Sequence, residues 1–150
     1  MYNMIRAIID TRASTTLLII RITVGIVVLP HGLQKLFGIF GGGGFTGTID
    51  AFGQWFGIPP LVTILVILAE SVGSFCLIIG FLGRFMAASI GCVLLGAIFF
   101  VVGRWGFFMN WYSEQQRGEG FEYHLLVLGM VIALIIGGSG RWSVDRLMNR

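Results

Sequence analysis

Four long apolar stretches constrain this chain more than any other feature of its sequence. They cover about residues 14–40, 61–82, 85–108 and 121–138. At a rise of 1.5 Å per residue, about 20 apolar residues cross the roughly 30 Å of hydrocarbon in a bilayer. Only 11% of the residues are charged, whereas about 25% is usual in water-soluble domains. We therefore expect an all-α integral membrane four-helix bundle that forms one domain over residues 1–150.

The segment between the first two spans predicts a short helix in the membrane interface. Its large apolar residues recur at helical spacing: Ile49, Phe52, Trp55 and Phe56. Pro59 and Pro60 then end this helix and provide a first turn for the second span. Only Gly83 and Arg84 separate the second span from the third, so we expect these two helices to be antiparallel neighbours.

The distribution of basic residues predicts the orientation in the membrane. Six lie outside the spans on the side of the termini: Arg6, Arg12, Arg84, Arg141, Arg146 and Arg150. Three lie on the other side: Lys35, Arg104 and Arg117. Because positive charge favours the cytoplasmic side, we expect both termini in the cytosol of a bacterial or archaeal cell, in its cytoplasmic (inner) membrane. The net charge of +3 is too small and too dispersed for a nucleic-acid partner.

Ionisable residues inside the spans are candidate site residues, because a charge at mid-bilayer costs roughly 3 kcal/mol on insertion scales. Arg21 lies in the first span and Glu70 near the middle of the second. We expect these two side chains to interact, either as a structural ion pair or as part of a ligand site. The first span carries Arg21, Gly25, Gly32 and Lys35 on one helical face. The glycines there leave either tight helix contact or room for a flat ring, and we predict a ligand cavity between the first two spans.

A second polar cluster is predicted near the extracytoplasmic surface. Its members come from the end of the first span and from the region around the start of the fourth: His31, Gln34, Lys35, Asn110, Glu122 and His124. His31 and His124 lie at similar depth, but Glu122 and His124 point to nearly opposite sides of their helix, so haem is disfavoured. No metal-ligand spacing occurs, and we expect neither a metal site nor an intrinsic cofactor.

Small residues recur at every fourth position in the last two spans. The third span has Ala88, Cys92 and Gly96, and the fourth has Gly129, Ala133 and Gly137. Such stripes permit close helix contact, and we favour packing inside the bundle over a homo-oligomer interface. Cys76 and Cys92 lie at similar depth, but an intramembrane cysteine is usually a small packing residue, so a functional thiol pair is not expected.

Three segments together resemble the DoxX family. They are GIVVLPHGLQKLFG at 25–38, AESVGSFCLIIGFLGR at 69–84 and EYHLLVLGMVIALIIGGSGRWSVD at 122–145. The resemblance implies a four-helix membrane protein related to the small subunits of thiosulfate:quinone oxidoreductase. It also implies that Arg21, His31, Lys35, Glu70 and Asp145 form the polar pattern of the family, with Gly32 and Asp145 as structural positions.

These observations support two hypotheses on function. The first is a membrane subunit, accessory rather than catalytic on its own, of a quinone-linked oxidoreductase system. Either Arg21 with Glu70, or His31 with Lys35, would hydrogen-bond the quinone oxygens, and the partners would be the lipid bilayer and an oxidoreductase subunit. The alternative is a non-catalytic scaffold or a small-solute transport unit, in which the same polar residues hold the helices together or line a passage.

Overall fold

The computed structural model describes residues 9–149, and these residues form helices and loops without any strand. The helices are α1 Thr15–Phe37, α2 Gly44–Phe56, α3 Pro60–Ile79, α4 Gly83–Trp105, α5 Glu122–Gly137 and α6 Val144–Met148. Helices α3 and α4 each contain one π-helical turn, at Ala69–Gly73 and Ile98–Val102 respectively. Arg6 and Arg150, which entered the charge count, lie outside the described residues.

The four predicted spans correspond to α1, α3, α4 and α5. The first three are 20 to 23 residues long and apolar enough to cross a membrane, and α5 is a shorter apolar helix of 16 residues. The prediction of an all-helical membrane bundle is thereby confirmed. The two ends of the bundle are defined by the residues at which the helices begin and end. The terminal face carries Thr15, Ile79, Gly83 and Gly137, and the loop face carries Phe37, Pro60, Trp105 and Glu122.

Local sequence signals explain where the helices begin and end. The Ser14 hydroxyl accepts a hydrogen bond from the Leu17 amide at 3.3 Å and caps α1, whose last turn closes on Gly38 with φ +73°. The predicted interfacial helix is present as α2, where Thr48 is buried and Trp55 is 74% exposed. Helix α4 begins at Gly83, so the connection from α3 is Gly80–Leu82 rather than the predicted Gly83 and Arg84.

The core lies where α1, α3, α4 and α5 meet. It consists of aliphatic side chains, among them Val24, Val28, Leu77, Ile90, Leu94, Val127, Val131 and Leu134. Other large apolar side chains, such as Ile26, Leu65 and Phe99, are exposed at the outer surface of the bundle. This outward display is expected of a chain whose solvent is lipid, because hydrocarbon takes up apolar side chains as readily as a protein core does.

The small-residue stripes pack differently from the prediction. In α4, Cys92 is exposed and a Cβ atom on Gly96 would meet nothing within 4 Å. Gly91 is the α4 glycine that faces the bundle, against Val131 of α5. Placing Cys92 and Gly96 inside the bundle was wrong, because the inward face of α4 is set one residue earlier, at Ala87 and Gly91.

Candidate functional site

Helices α1 and α3 touch backbone to backbone, and this contact fixes how far Glu70 lies from Arg21 along the helix axis. A Cβ atom on Gly32 would lie 2.5 Å from the Glu70 carbonyl oxygen, and one on Gly25 would lie 2.9 Å from that of Ser74. Glu70 is therefore level with Gly32. Since 11 residues at 1.5 Å per residue separate Gly32 from Arg21, Glu70 lies about 16 Å along the helix axis from Arg21.

The arginine node, which is the Arg21 guanidinium with its acceptors, joins three segments at the terminal face. All five N–H groups donate to backbone carbonyls, namely those of Leu77, Ile78, Ser139, Arg141 and Trp142. The bond to Ser139 measures 2.7 Å, and the side chain is 1% exposed. A guanidinium has five donors in total, so Arg21 is fully satisfied by the main chain.

The predicted Arg21–Glu70 interaction is wrong. The prediction placed Arg21 about 10 Å into the first span and Glu70 near the middle of the second, and it relied on the long guanidinium stem to join them. The glycine contacts instead bring Glu70 level with Gly32. Arg21 instead meets the carbonyl groups of the last turn of α3 and of the segment after α5. Carbonyl groups in the last turn of a helix lack the usual amide partner four residues later, although that of Leu77 also accepts from the Gly80 amide at 3.0 Å.

Asp145 completes the terminal face by capping α4. One carboxylate oxygen accepts from the Leu82 amide at 2.7 Å, and the other accepts from the Gly83 amide at 2.9 Å and the Ser139 hydroxyl at 2.5 Å. A carboxylate at a helix N-terminus is stabilised by the unpaired amides and by the helix dipole. Asp145 is 1% exposed, and its place in the structure is that of a buried cap.

The Lys35–Glu70 pair is the second charged feature within the spans. The Lys35 ammonium lies 2.5 Å from a Glu70 carboxylate oxygen and 3.5 Å from the His31 carbonyl oxygen. Glu70 belongs to the π-helical turn of α3, a distortion that often accompanies functional positions. The two side chains remain 22% and 12% exposed, so the pair is reachable from outside the bundle.

Aromatic side chains stand at the start of α5. Tyr123 packs partly buried against the core, and its ring centroid lies 5.5 Å from that of His124. The Nδ1 atom of His124 is buried and has no hydrogen-bond partner among residues 9–149. His31 is exposed and His124 is half-buried, and among these residues Lys35 and Glu70 form the direct side-chain bond.

The other candidate residues at the loop face stabilise loops. Gln34 donates to the Phe40 carbonyl at 3.1 Å, and Glu122 accepts from the Met109 amide at 3.1 Å. Asn110 binds the backbone of Glu114 and Arg117 through its side-chain amide. These three side chains are thus engaged away from the Lys35–Glu70 pair.

The glycine-bearing face of α1 does not leave room for a flat ring beside α3. Gly25 is covered by Ser74 and Ile78, and Gly32 by Glu70 and Ser71. The predicted cavity between the first two spans is therefore wrong at these positions, because tight helix contact occupies the space that the missing side chains provide. The Lys35–Glu70 pair, which remains partly exposed, is the place where a ligand can reach charged groups within the spans.

Comparison with known proteins places the chain in a family. A family model described as DoxX matches residues 16–103, which is more than half of the chain. The chain belongs to the DoxX family. The DoxX match spans α1 to α4 and includes Arg21, Lys35 and Glu70, while Tyr123 and Asp145 lie beyond it.

Two relatives of this DoxX protein are informative. "Inner membrane protein YqjF" of Escherichia coli (strain K12) is 30% identical over 134 residues, which cover 89% of this chain and 92% of that protein. "Putative oxidoreductase CatD" of Bacillus subtilis (strain 168) is 28% identical over 117 residues, 78% of this chain and 76% of that protein. No solved structure matches the chain. Together with the apolar helices, these findings identify a multi-pass membrane protein.

Sequence reasoning overlooked Tyr123 and Ser139. Tyr123 precedes the buried residues Val127, Val131 and Leu134 by four, eight and eleven positions, so the helical period alone places it on the inward face. Ser139 offered no comparable signal, because its role depends on a backbone carbonyl that meets a side chain 118 residues earlier.

Proposed function

We propose that this DoxX protein is an accessory membrane subunit of a quinone-linked oxidoreductase system and that it binds the quinone head group at the Lys35–Glu70 pair. The observation that carries the proposal is an ion pair that remains partly exposed within apolar membrane spans. Charged groups within hydrocarbon are costly and usually functional, and a quinone dissolved in the bilayer reaches this position through the lipid.

The chemistry of the pair suits a quinone oxygen. Lys35 has three N–H donors, of which one is directed at Glu70 and another at the more distant His31 carbonyl. The remaining donor is available to a quinone carbonyl. Oxidation of a quinol releases two protons and two electrons; the Glu70 carboxylate can accept one proton, and the other would pass to water at the loop face. The electrons would pass to or from a partner subunit, in keeping with the oxidoreductase named among the relatives.

Quinone content measured in organic extracts of the purified protein tests this proposal. The K35M/E70M variant removes both charges together, so neither remains buried without its partner, and such replacements are often tolerated. The matched control is E114Q/R117Q, which removes an exposed ion pair of 3.2 Å in the loop before α5. We expect quinone in the wild type and in the control but not in K35M/E70M. Absence of quinone from the wild type, or its retention by K35M/E70M, would contradict the proposal.

A non-catalytic scaffold is the second candidate, and the arginine node favours it. Arg21 uses every donor on the backbone, and Gly25 and Gly32 are filled by α3. These contacts hold helices together, and they leave neither a free Arg21 donor nor space beside Gly25 and Gly32 for a ligand. If quinone is absent while K35M/E70M assembles with the same partner subunit as the wild type, the scaffold function is supported instead.

We also propose that the terminal face lies in the cytosol, with the loop face outside. Arg84, Arg141 and Arg146 lie at the terminal face, and basic residues concentrate on the cytoplasmic side of membrane proteins. Reporter fusions after residue 45 and at the C-terminus should report opposite sides. Two reporters on the same side would contradict this topology.

A further inference from the structure

A groove of about 420 Å³ opens at the terminal face, between the end of α3 and helix α6. Ile79, Arg141, Trp142, Arg146 and Leu147 line it. We propose that this groove binds the phosphate-bearing head group of an anionic phospholipid in the adjacent leaflet. The site is separate from the Lys35–Glu70 pair, which lies level with the other half of α1.

The charge of the groove selects an anion. Arg141 and Arg146 are its ionisable wall residues, and neither belongs to an ion pair within residues 9–149. Asp145 lies between them in sequence, but its oxygens are turned inward and bound to Leu82, Gly83 and Ser139. Arg141 donates one long hydrogen bond, to the Thr15 hydroxyl at 3.5 Å. A guanidinium binds phosphate through paired N–H donors, so the two arginines can together hold a phosphate group.

The apolar part of the groove distinguishes a lipid from free phosphate. Ile79 is the last residue of α3, so the groove begins where a membrane span ends. Trp142 is 81% exposed and Leu147 is 66% exposed, and tryptophan is enriched at the level of lipid head groups. An inorganic anion gains nothing from these side chains, whereas the glycerol and first acyl carbons of a phospholipid bury them.

The wall of the groove is held in place by the arginine node. Arg21 binds the carbonyl groups of Arg141 and Trp142, and the Arg141 amide donates to the Ser14 carbonyl at 3.1 Å. The Ser143 hydroxyl accepts from the Arg146 amide at 3.3 Å and caps α6. The backbone under both arginines is thus fixed before any ligand arrives, which reduces the ordering cost of binding.

Native mass spectrometry of the detergent-purified protein tests the proposal with two lipids of identical acyl chains, phosphatidylglycerol and phosphatidylcholine. We expect the wild type to retain phosphatidylglycerol in preference. Because a basic residue near an anionic membrane surface contributes about fivefold to binding, R141Q/R146Q should weaken retention roughly thirtyfold. R141K/R146K keeps the charge but not the paired guanidinium donors, so its retention should lie between that of the wild type and that of R141Q/R146Q.

The matched control is R104Q/R117Q, which removes two positive charges at the loop face and should leave retention unchanged. If R141Q/R146Q does not fold, the single variant R146Q, with a loss of about fivefold, serves in its place. Equal retention of the two lipids by the wild type would overturn the proposal, as would an equal loss in the control. Displacement of phosphatidylglycerol by millimolar inorganic phosphate would also overturn it and identify a site for free anions.

Discussion

Replacement of Arg21 by methionine should be among the most destabilising single changes in this protein. Methionine matches the length of the arginine stem but donates no hydrogen bond. Of the five carbonyl groups in the arginine node, that of Leu77 keeps a second donor, the Gly80 amide at 3.0 Å. The other four carbonyl groups lose the hydrogen-bond donor that they have among the described residues. They are those of Ile78, Ser139, Arg141 and Trp142.

The size of the effect follows from the burial of these groups. The bond to Ser139 is buried, and an unsatisfied buried carbonyl there costs about 1–3 kcal/mol. The other three bonds are partly buried, and we assign each about 1 kcal/mol, since water reaches part of the group. The total of about 4–6 kcal/mol is a large part of the 5–15 kcal/mol typical of folded proteins. At about 2–4 °C per kcal/mol, R21M should melt roughly 8–24 °C below the wild type.

The buried thiol of Cys76 can report the unfolding of the protein in this measurement. Cys76 is buried and Cys92 is exposed, and both are free thiols. In a C92S background, a thiol-reactive dye reports the exposure of Cys76 as the detergent-solubilised protein unfolds. R21K, with three donors instead of five, should melt between the wild type and R21M, and R104M provides a control at an exposed arginine. An R21M melting temperature within about 2 °C of the wild type, less than 1 kcal/mol, would refute this account of the arginine node.

Three further predictions concern other contacts. G32A should lose about 1–3 kcal/mol of stability in the same assay, because its Cβ would meet the backbone of Glu70, whereas G96A, with open space around it, should be neutral or slightly stabilising; equal effects would contradict the helix contact. K35E should reduce the yield of monodisperse protein by placing two carboxylates together, and K35E/E70K should recover most of it, so a double variant no better than K35E would argue against the ion pair. D145N should cost about 1–2 kcal/mol through the loss of a charged hydrogen-bond acceptor, and an unchanged melting temperature would show that the cap contributes little.

The number, type and approximate limits of the helices could be predicted from the sequence because the membrane demands long apolar helices. A hydrophobic content of 56% leaves few alternatives, and Pro59 and Pro60 mark the start of α3. The predicted limits differ from the observed ones mainly at the C-terminal ends, where α1 stops at Phe37 and α4 at Trp105.

The pairing of charged residues could not be predicted, because it depends on how far one helix slides along another. A helical wheel for α1 correctly places Arg21 and Lys35 on one face. It contains no information on which residues of α3 lie beside which residues of α1. That level is set by Gly32 against Glu70. The π-helical turn at Ala69–Gly73 adds a further shift in register, and no residue pattern in that segment indicates it.

The order in which the chain is synthesised determines when the hydrogen bonds of Arg21 can form. Arg21 enters the bilayer with the first span, while the carbonyl group of Ser139 is made 118 residues later. During translation the guanidinium must be accommodated by water, lipid head groups or, once α3 has emerged, the carbonyls of Leu77 and Ile78. A polar group that is costly in hydrocarbon therefore obtains its full set of acceptors only after residues 139–142 have been made. Three of the five Arg21 bonds form only when residues 139–142 are in place, so a chain that stops after α5 should be less stable than the full chain.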